Sequence, residues 1–160
     1  MRKLEIILFL LLLISNLCIA QRNEKVTFKI DTSRIAVLPF DENTKWKFKN
    51  CIASEISNEE ILLAEKLLSK RVNKYNKEEK INPSLHTGTR YINLNKYYKQ
   101  YIVAKNSKGE KEVYINCFCE NPAINWKKVL NEVNDGGNCF FSLKINLTKQ
   151  SSEELDINGP

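Results

Sequence analysis

Residues 139–147 read Cys-Phe-Phe-Ser-Leu-Lys-Ile-Asn-Leu, with apolar side chains at every second position. Successive side chains of a β-strand point to opposite faces of a sheet. One face of this strand therefore carries Cys139, Phe141, Leu143, Ile145 and Leu147. A strand with one apolar face is typical of an antiparallel sheet that is covered on one side. We therefore expect a packing layer against that face.

The neighbouring sequence predicts further strands. Tyr97–Ala104 and Lys111–Cys119 are rich in β-branched and aromatic residues, and Gly109 between them can take the left-handed backbone of a bulged hairpin turn. Residues 126–133 are predicted to form a second hairpin with the strand at 139–147, through the turn Asp135-Gly136-Gly137-Asn138. Earlier in the chain, Val26–Ile30 and Ile35–Leu38 predict one or two short strands.

One amphipathic helix is predicted to begin at Ser57. The Ser57 hydroxyl can cap the first turn, and Glu60 can reach back to complete a capping box. Apolar residues then recur at helical spacing, at Ile61, Ala64, Leu68, Val72 and Tyr75. The residues predicted to face water are Glu65, Lys66, Lys70 and Lys74. This helix is the available cover for the apolar face of the sheet.

Together these elements predict an α+β fold, with one long helix packed on an antiparallel sheet of about four strands. This element order resembles the cystatin-like architecture. We expect residues 21–160 to form a single domain, whose tail at 151–160 either adds a short edge strand or frays.

The first 20 residues predict an export signal. Arg2 and Lys3 precede an apolar run at 6–14, and Ala20 offers a small residue at a cleavage site before Gln21. The run is too short to span a bilayer comfortably, so no transmembrane span is expected after cleavage. The predicted location is secreted or periplasmic. The alternative is a lipoprotein anchored through Cys18, although Leu17 is larger than the residue such a site prefers.

Cleavage would leave four cysteines as disulfide candidates: Cys51, Cys117, Cys119 and Cys139. An exported protein meets an oxidising compartment, where thiols pair. Cys117 and Cys119 share one face of a strand, at the limit of disulfide reach, so a bond between them would be strained. A cross-strand bond from one of them to Cys139 is easier. Cys51 would then pair with the other. The CxC spacing is not that of a zinc site, and His86 is the only histidine.

The blocks Gly109–Cys119 and Asp135–Thr148, with the ending Asn158-Gly159-Pro160, resemble a group of small secreted proteins of Bacteroidota. The resemblance covers only the C-terminal half of the chain. It implies a bacterial envelope or secreted setting, and it carries no catalytic residues to transfer.

No catalytic, metal-binding or cofactor-binding set can be recognised in the sequence, and no cofactor is expected. The net charge of +6 is scattered, which is typical of a mixed-charge surface. A candidate partner surface is the outward face of the 97–119 hairpin, with Tyr97, Tyr98, Lys99, Tyr101, Tyr114 and Phe118.

These observations favour a non-enzymatic binding module of the bacterial envelope. The expected partner is an envelope or extracellular protein, a glycan is the weaker candidate, and nucleic acid is not expected. The alternatives are a small envelope hydrolase or thiol-redox enzyme, and a cystatin-like protease inhibitor.

Overall fold

The computed structural model describes residues 31–81 and 91–159. The export signal, the strand predicted at 26–30 and His86 lie outside these ranges. The described elements, in chain order, are β1 Ile35–Leu38, β2 Cys51–Ala53, α1 Asn58–Ile81, β3 Tyr98–Asn106, β4 Lys111–Phe118, β5 Phe140–Asn146, β6 Ser151–Ser152 and β7 Asp156–Ile157. The α+β class is confirmed.

The sheet differs from the predicted four-stranded antiparallel meander. Seven strands are paired in the described ranges, in the order β1-β3-β4-β5-β6, with β2 also on β3 and β7 also on β5. β1 runs parallel to β3, whereas every other pair is antiparallel. β1 and β2 approach each other along one edge of β3, because Leu38 lies opposite Ile102 and Ala53 lies opposite Ala104.

The helix begins as the sequence predicts. The Ser57 backbone N–H donates to Glu60 Oε2 at 2.8 Å, and the Glu60 N–H donates to Ser57 Oγ at 3.3 Å, which completes the capping box. Ala64, Leu68 and Val72 are buried against the sheet, in the predicted stripe. Glu65, predicted to face water, is instead largely shielded, since it forms an ion pair with Lys99 of β3.

Both faces of the sheet are covered, not one. The helix packs against the face that carries Val113, Ile115 and Phe141. Residues that precede α1, among them Leu38 and Phe48, pack with Trp126 against the opposite face.

Residues 126–133 form a turn followed by irregular backbone, and the predicted strand there is wrong. Gln100 Nε2 donates to the carbonyl oxygens of Trp126 at 2.5 Å and Val129 at 2.7 Å, and the Asn131 N–H donates to Gln100 Oε1 at 2.9 Å. A buried side chain of β3 thus satisfies backbone groups that a neighbouring strand would otherwise satisfy. The segment lies across the sheet as a cover.

The tail pairs with the sheet. β6 and β7 both bond to β5, which agrees with the predicted edge strand and not with fraying. Leu155 and Ile157 pack on the helix side of the core. Arg71 of α1, whose side chain is buried, forms an ion pair with Glu154 and so ties the tail to the helix. Within the described ranges, no helix combines the length and the apolar character needed to cross a bilayer.

Candidate functional site

The partner surface predicted on the outward face of the 97–119 hairpin is not found, because nearly all of its residues are buried. Tyr97, Lys99, Tyr101, Tyr114 and Phe118 are all buried. Tyr98 is half-buried and stacks against Phe118 with 5.6 Å between ring centroids. Two layers cause this burial. The helix side of the core buries Tyr97, Lys99 and Tyr101. A second layer, which the sequence pattern did not indicate, covers Tyr98, Tyr114 and Phe118 on the opposite face. These aromatic residues are core, so a functional surface has to be sought elsewhere.

Only two of the four cysteines predicted to form disulfides are paired. Cys119 and Cys139 form a disulfide, which links the end of β4 to the turn before β5. Cys51 and Cys117 are free thiols, so the expectation that all four pair is wrong. Cys51 lies opposite Asn106, and Cys117 lies opposite Lys99, seven residues away along β3. That separation is about 23 Å along a strand, far beyond the reach of a disulfide.

The free thiols are poorly activated. Complete burial raises the pKa of the Cys117 thiol, and partial burial raises that of Cys51. A thiol with a raised pKa is less often the nucleophilic thiolate. This arrangement disfavours the thiol-redox alternative. In the described part of the chain, no three His, Cys, Asp or Glu side chains are grouped to hold a metal ion.

Three polar residues meet between the helix and the sheet. Lys99 Nζ donates to Glu65 Oε2 at 2.6 Å, and the Tyr101 hydroxyl donates to the other oxygen, Oε1. Burial raises the pKa of the Tyr101 hydroxyl well above its ordinary value, and the adjacent Glu65 carboxylate raises it further. Tyr101 therefore stays a neutral donor, and both Glu65 oxygens are engaged. Sequence periodicity missed this set because it placed Glu65 on the wet side of the helix.

A groove opens beside this polar set. It has a volume of about 580 Å³ and is bordered by α1 and by the segment that precedes β3. Its lining residues are Leu62, Glu65, Lys66, Ser69, Leu94, Asn95 and Lys99. We refer to it as the helix groove.

A second groove is polar, and its charged and amide groups bind one another. At the β3–β4 turn, Glu110 Oε1 lies 2.8 Å from Lys149 Nζ, and Glu110 Oε2 accepts from Asn106 and Asn146. The Lys149 hydrogen bond, followed by that of Asn106, lowers the pKa of Glu110 to about 2. Because these groups satisfy one another's hydrogen bonds and charges, they stabilise the turn between β3 and β4.

The outer edge of the sheet is formed by β1 and β2. In the described ranges, neither strand pairs with anything on the side away from β3. Three large apolar side chains of this region are exposed: Val37 by 49%, Trp46 by 60% and Ile52 by 68%. We call these two strands, with the connection between them, the β1–β2 edge.

The apolar side chains project to both sides of this edge. Val37 lies opposite Tyr101 and Ile52 opposite Lys105, so both lie on the helix side of the sheet. Trp46 belongs to the other side, because Lys47 Nζ lies 3.7 Å from its ring centroid and 4.7 Å from that of Tyr114. The Trp46 indole N–H donates to the Asn43 carbonyl at 3.0 Å, which fixes the ring while leaving it exposed.

Comparisons of the chain with protein-family models, with curated proteins and with solved structures find no match.

Proposed function

We propose that this protein is an exported interaction module of the bacterial envelope, which binds a partner protein by pairing with an extended segment of it along the β1–β2 edge. The observation that carries the proposal is the edge that no strand within residues 31–81 and 91–159 pairs with, together with the exposed Val37, Trp46 and Ile52.

Exposed apolar edges are hazardous to a protein. They offer unpaired N–H and C=O groups to other chains, and most proteins protect them with charges, proline, bulges or a covering loop. Neither β1, Ile-Ala-Val-Leu, nor β2, Cys-Ile-Ala, carries a charged residue. An edge of this kind is suited to strand addition, in which main-chain hydrogen bonds give affinity and side-chain contacts give specificity.

The side chains at the edge suit an added strand. Alternate side chains of that strand would lie on opposite faces, towards Val37 and Ile52 on one face and towards Trp46 on the other. A fixed tryptophan is a common anchor of protein interfaces, since it brings large apolar area at little cost in conformational entropy.

Charge favours an acidic partner segment. The protein carries a net charge of +6. Lys49 lies two residues before β2, and Lys105 of β3 lies opposite Ile52 of β2. Complementary charge speeds association and selects among partners. The envelope setting is supported by the predicted export signal, by the resemblance to small secreted Bacteroidota proteins, and by the Cys119–Cys139 disulfide, which is typical of oxidising compartments.

Site-specific photocrosslinking in the producing cell tests the proposal. A benzoylphenylalanine replaces Val37, Ile52 or, as the matched control, Ile81, which is 75% exposed at the end of α1. We expect Val37 and Ile52 to give the same protein adduct, Ile81 to give none of it, and Trp46→Ala to reduce the yield.

The crosslinked protein is then identified, purified and added back. We expect its binding to slow amide hydrogen exchange in residues 35–38 and 51–53. The proposal is overturned if the edge positions give no adduct, if Ile81 gives the same adduct, or if the partner leaves exchange at both strands unchanged.

A further inference from the structure

The helix groove shares no lining residue with the β1–β2 edge. A ligand bound in the groove is therefore independent of the function proposed above. Its volume of about 580 Å³ lies within the range of small-molecule sites, about 300 to 1,000 Å³. Such sites combine apolar walls with a few polar groups that fix the orientation of the ligand.

Two kinds of side chain give the groove its apolar walls. Leu62 of α1 and Leu94 of the segment before β3 contribute isobutyl side chains. The methylene stems of Lys66 and Lys99 add further apolar surface, because long cationic side chains present their stems to apolar neighbours and keep only the ammonium group polar. The groove therefore suits a hydrocarbon chain.

The charge available in the groove is positive. The Lys99 side chain is only 11% exposed, and its ammonium group donates to Glu65 Oε2 at 2.6 Å. An ammonium group has three donors, so this contact leaves two for a ligand. Glu65 already accepts hydrogen bonds at both oxygens, from Lys99 and from the neutral Tyr101, and the Glu65–Lys99 pair carries no net charge.

A second ammonium group borders the same space. Lys66 follows Glu65 on α1 and is exposed at the groove rim. One carboxylate against two ammonium groups gives the lining a net charge of +1, which a ligand with a single negative charge would balance. A shielded, hydrogen-bonded cation stabilises such a head group more than a fully exposed lysine would.

We propose that the helix groove binds an anionic amphiphile, with a carboxylate head group on the ammonium groups of Lys99 and Lys66 and an alkyl chain along Leu62 and Leu94. The interaction is reversible and involves no covalent step.

Titration calorimetry of the exported protein with decanoate tests this site, and decanol and decyltrimethylammonium serve as head-group controls of equal chain length. We expect decanoate to bind saturably below the concentration at which it forms micelles. Decanol should bind about 5- to 10-fold more weakly, because its uncharged hydroxyl lacks the attraction of the carboxylate to the ammonium groups; this is a difference of about 1 to 1.4 kcal/mol in binding free energy. The cationic amphiphile should bind more weakly still.

Two variants locate the binding. Leu62→Ser should weaken decanoate at least 5-fold through lost apolar contact, and Lys66→Gln should weaken it about 3- to 5-fold through lost charge. Lys70→Gln is the matched control, since Lys70 is an exposed lysine of α1 that does not line this groove. Lys66 lies at the rim, so its replacement leaves the Glu65–Lys99 pair intact and the fold unperturbed.

The site is overturned if decanoate shows no saturable binding, if decyltrimethylammonium binds as tightly as decanoate, or if Leu62→Ser and Lys66→Gln bind decanoate as tightly as Lys70→Gln does. None of these outcomes bears on strand addition at the β1–β2 edge, because the groove variants leave β1 and β2 unchanged.

Discussion

Glu65 of α1 and Lys99 of β3 form an ion pair across the helix–sheet interface, with 2.6 Å between Lys99 Nζ and Glu65 Oε2. The side chains are only 18% and 11% exposed, so solvent screens the pair less than it would on the surface. The pair fixes how the helix lies over β3, and it also places the Lys99 ammonium group in the helix groove.

Replacing Glu65 should destabilise the protein clearly. Glu65→Gln removes the negative charge and leaves a shielded Lys99 ammonium group without its counterion. Because the pair is partly exposed, we expect a loss of about 1 to 3 kcal/mol in the free energy of unfolding, below the full cost of breaking a wholly buried pair. Urea denaturation followed by circular dichroism measures this loss. Glu120→Gln, at an exposed position, is the control, and equal losses in both variants would contradict the role of the pair.

The buried Gln100 side chain should hold residues 126–131 over the sheet. Gln100→Leu would leave the Trp126 and Val129 carbonyls, the Asn131 N–H and the Asn116 side-chain amide without this partner. We expect a loss of about 2 to 4 kcal/mol in the free energy of unfolding, because several buried polar groups lose hydrogen bonds together. Urea unfolding, with amide exchange across 126–131, gives the measurement. Unchanged exchange in that segment would show that Gln100 does not pin it.

The thiol count distinguishes the observed pairing from the fully paired one. For a chain that begins at Gln21, alkylation without reduction should add two groups in denaturant, at Cys51 and Cys117. Under native conditions we expect only Cys51 to react, and slowly, since Cys117 is buried. Intact mass spectrometry reads the number of groups and the N-terminus together. Uptake of none in denaturant would indicate a second disulfide, and uptake of four would indicate that Cys119 and Cys139 are not joined.

Stability should fall at high pH through Tyr97. Its hydroxyl donates to the Asn138 carbonyl at 2.6 Å, and burial raises its pKa to about 12. A tyrosine in the unfolded chain has a pKa of about 10, so the folded state binds this proton more tightly. The contribution of Tyr97 is therefore complete below about pH 10 and is lost as the pH rises from about 10 towards 12.

Tyr97→Phe provides the comparison for this effect. The variant keeps the ring that packs edge-to-face on Phe141 but cannot ionise. We expect the difference in unfolding free energy between wild type and Tyr97→Phe to shrink over this pH range, as measured by urea denaturation at each pH. A difference that stays constant from pH 9 to pH 12 would contradict the assignment.

Local sequence patterns predicted the elements whose causes are local. The capping box formed as predicted because Ser57 and Glu60 lie within one helical turn and need no other part of the chain. The hairpin of β3 and β4 also formed as predicted, since Gly109 adopts a φ of +77° in its turn. The alternation in 140–146 likewise placed Phe141, Leu143 and Ile145 against the helix.

The predictions that failed depended on residues distant in sequence. The period of a strand shows which side chains share a face, but not whether a second layer covers the other face. Trp126 and Phe48 supply that layer here, and they bury Tyr114 and Phe118, which had been predicted to be exposed. The candidate sites were missed for the same reason: the helix groove needs α1 packed beside the segment before β3, and the β1–β2 edge needs two short strands to meet on β3.

The sequence by itself determined the α+β class, the start of the helix and the faces of the long strands, because these follow from backbone periodicity and from contacts within a few residues. Tertiary structure alone decided that Cys119 pairs with Cys139, that Cys51 and Cys117 stay free, and that Glu65 meets Lys99. Each of these depends on distances between side chains from separate elements, and those distances are set only when the helix, the covering turns and the sheet pack together.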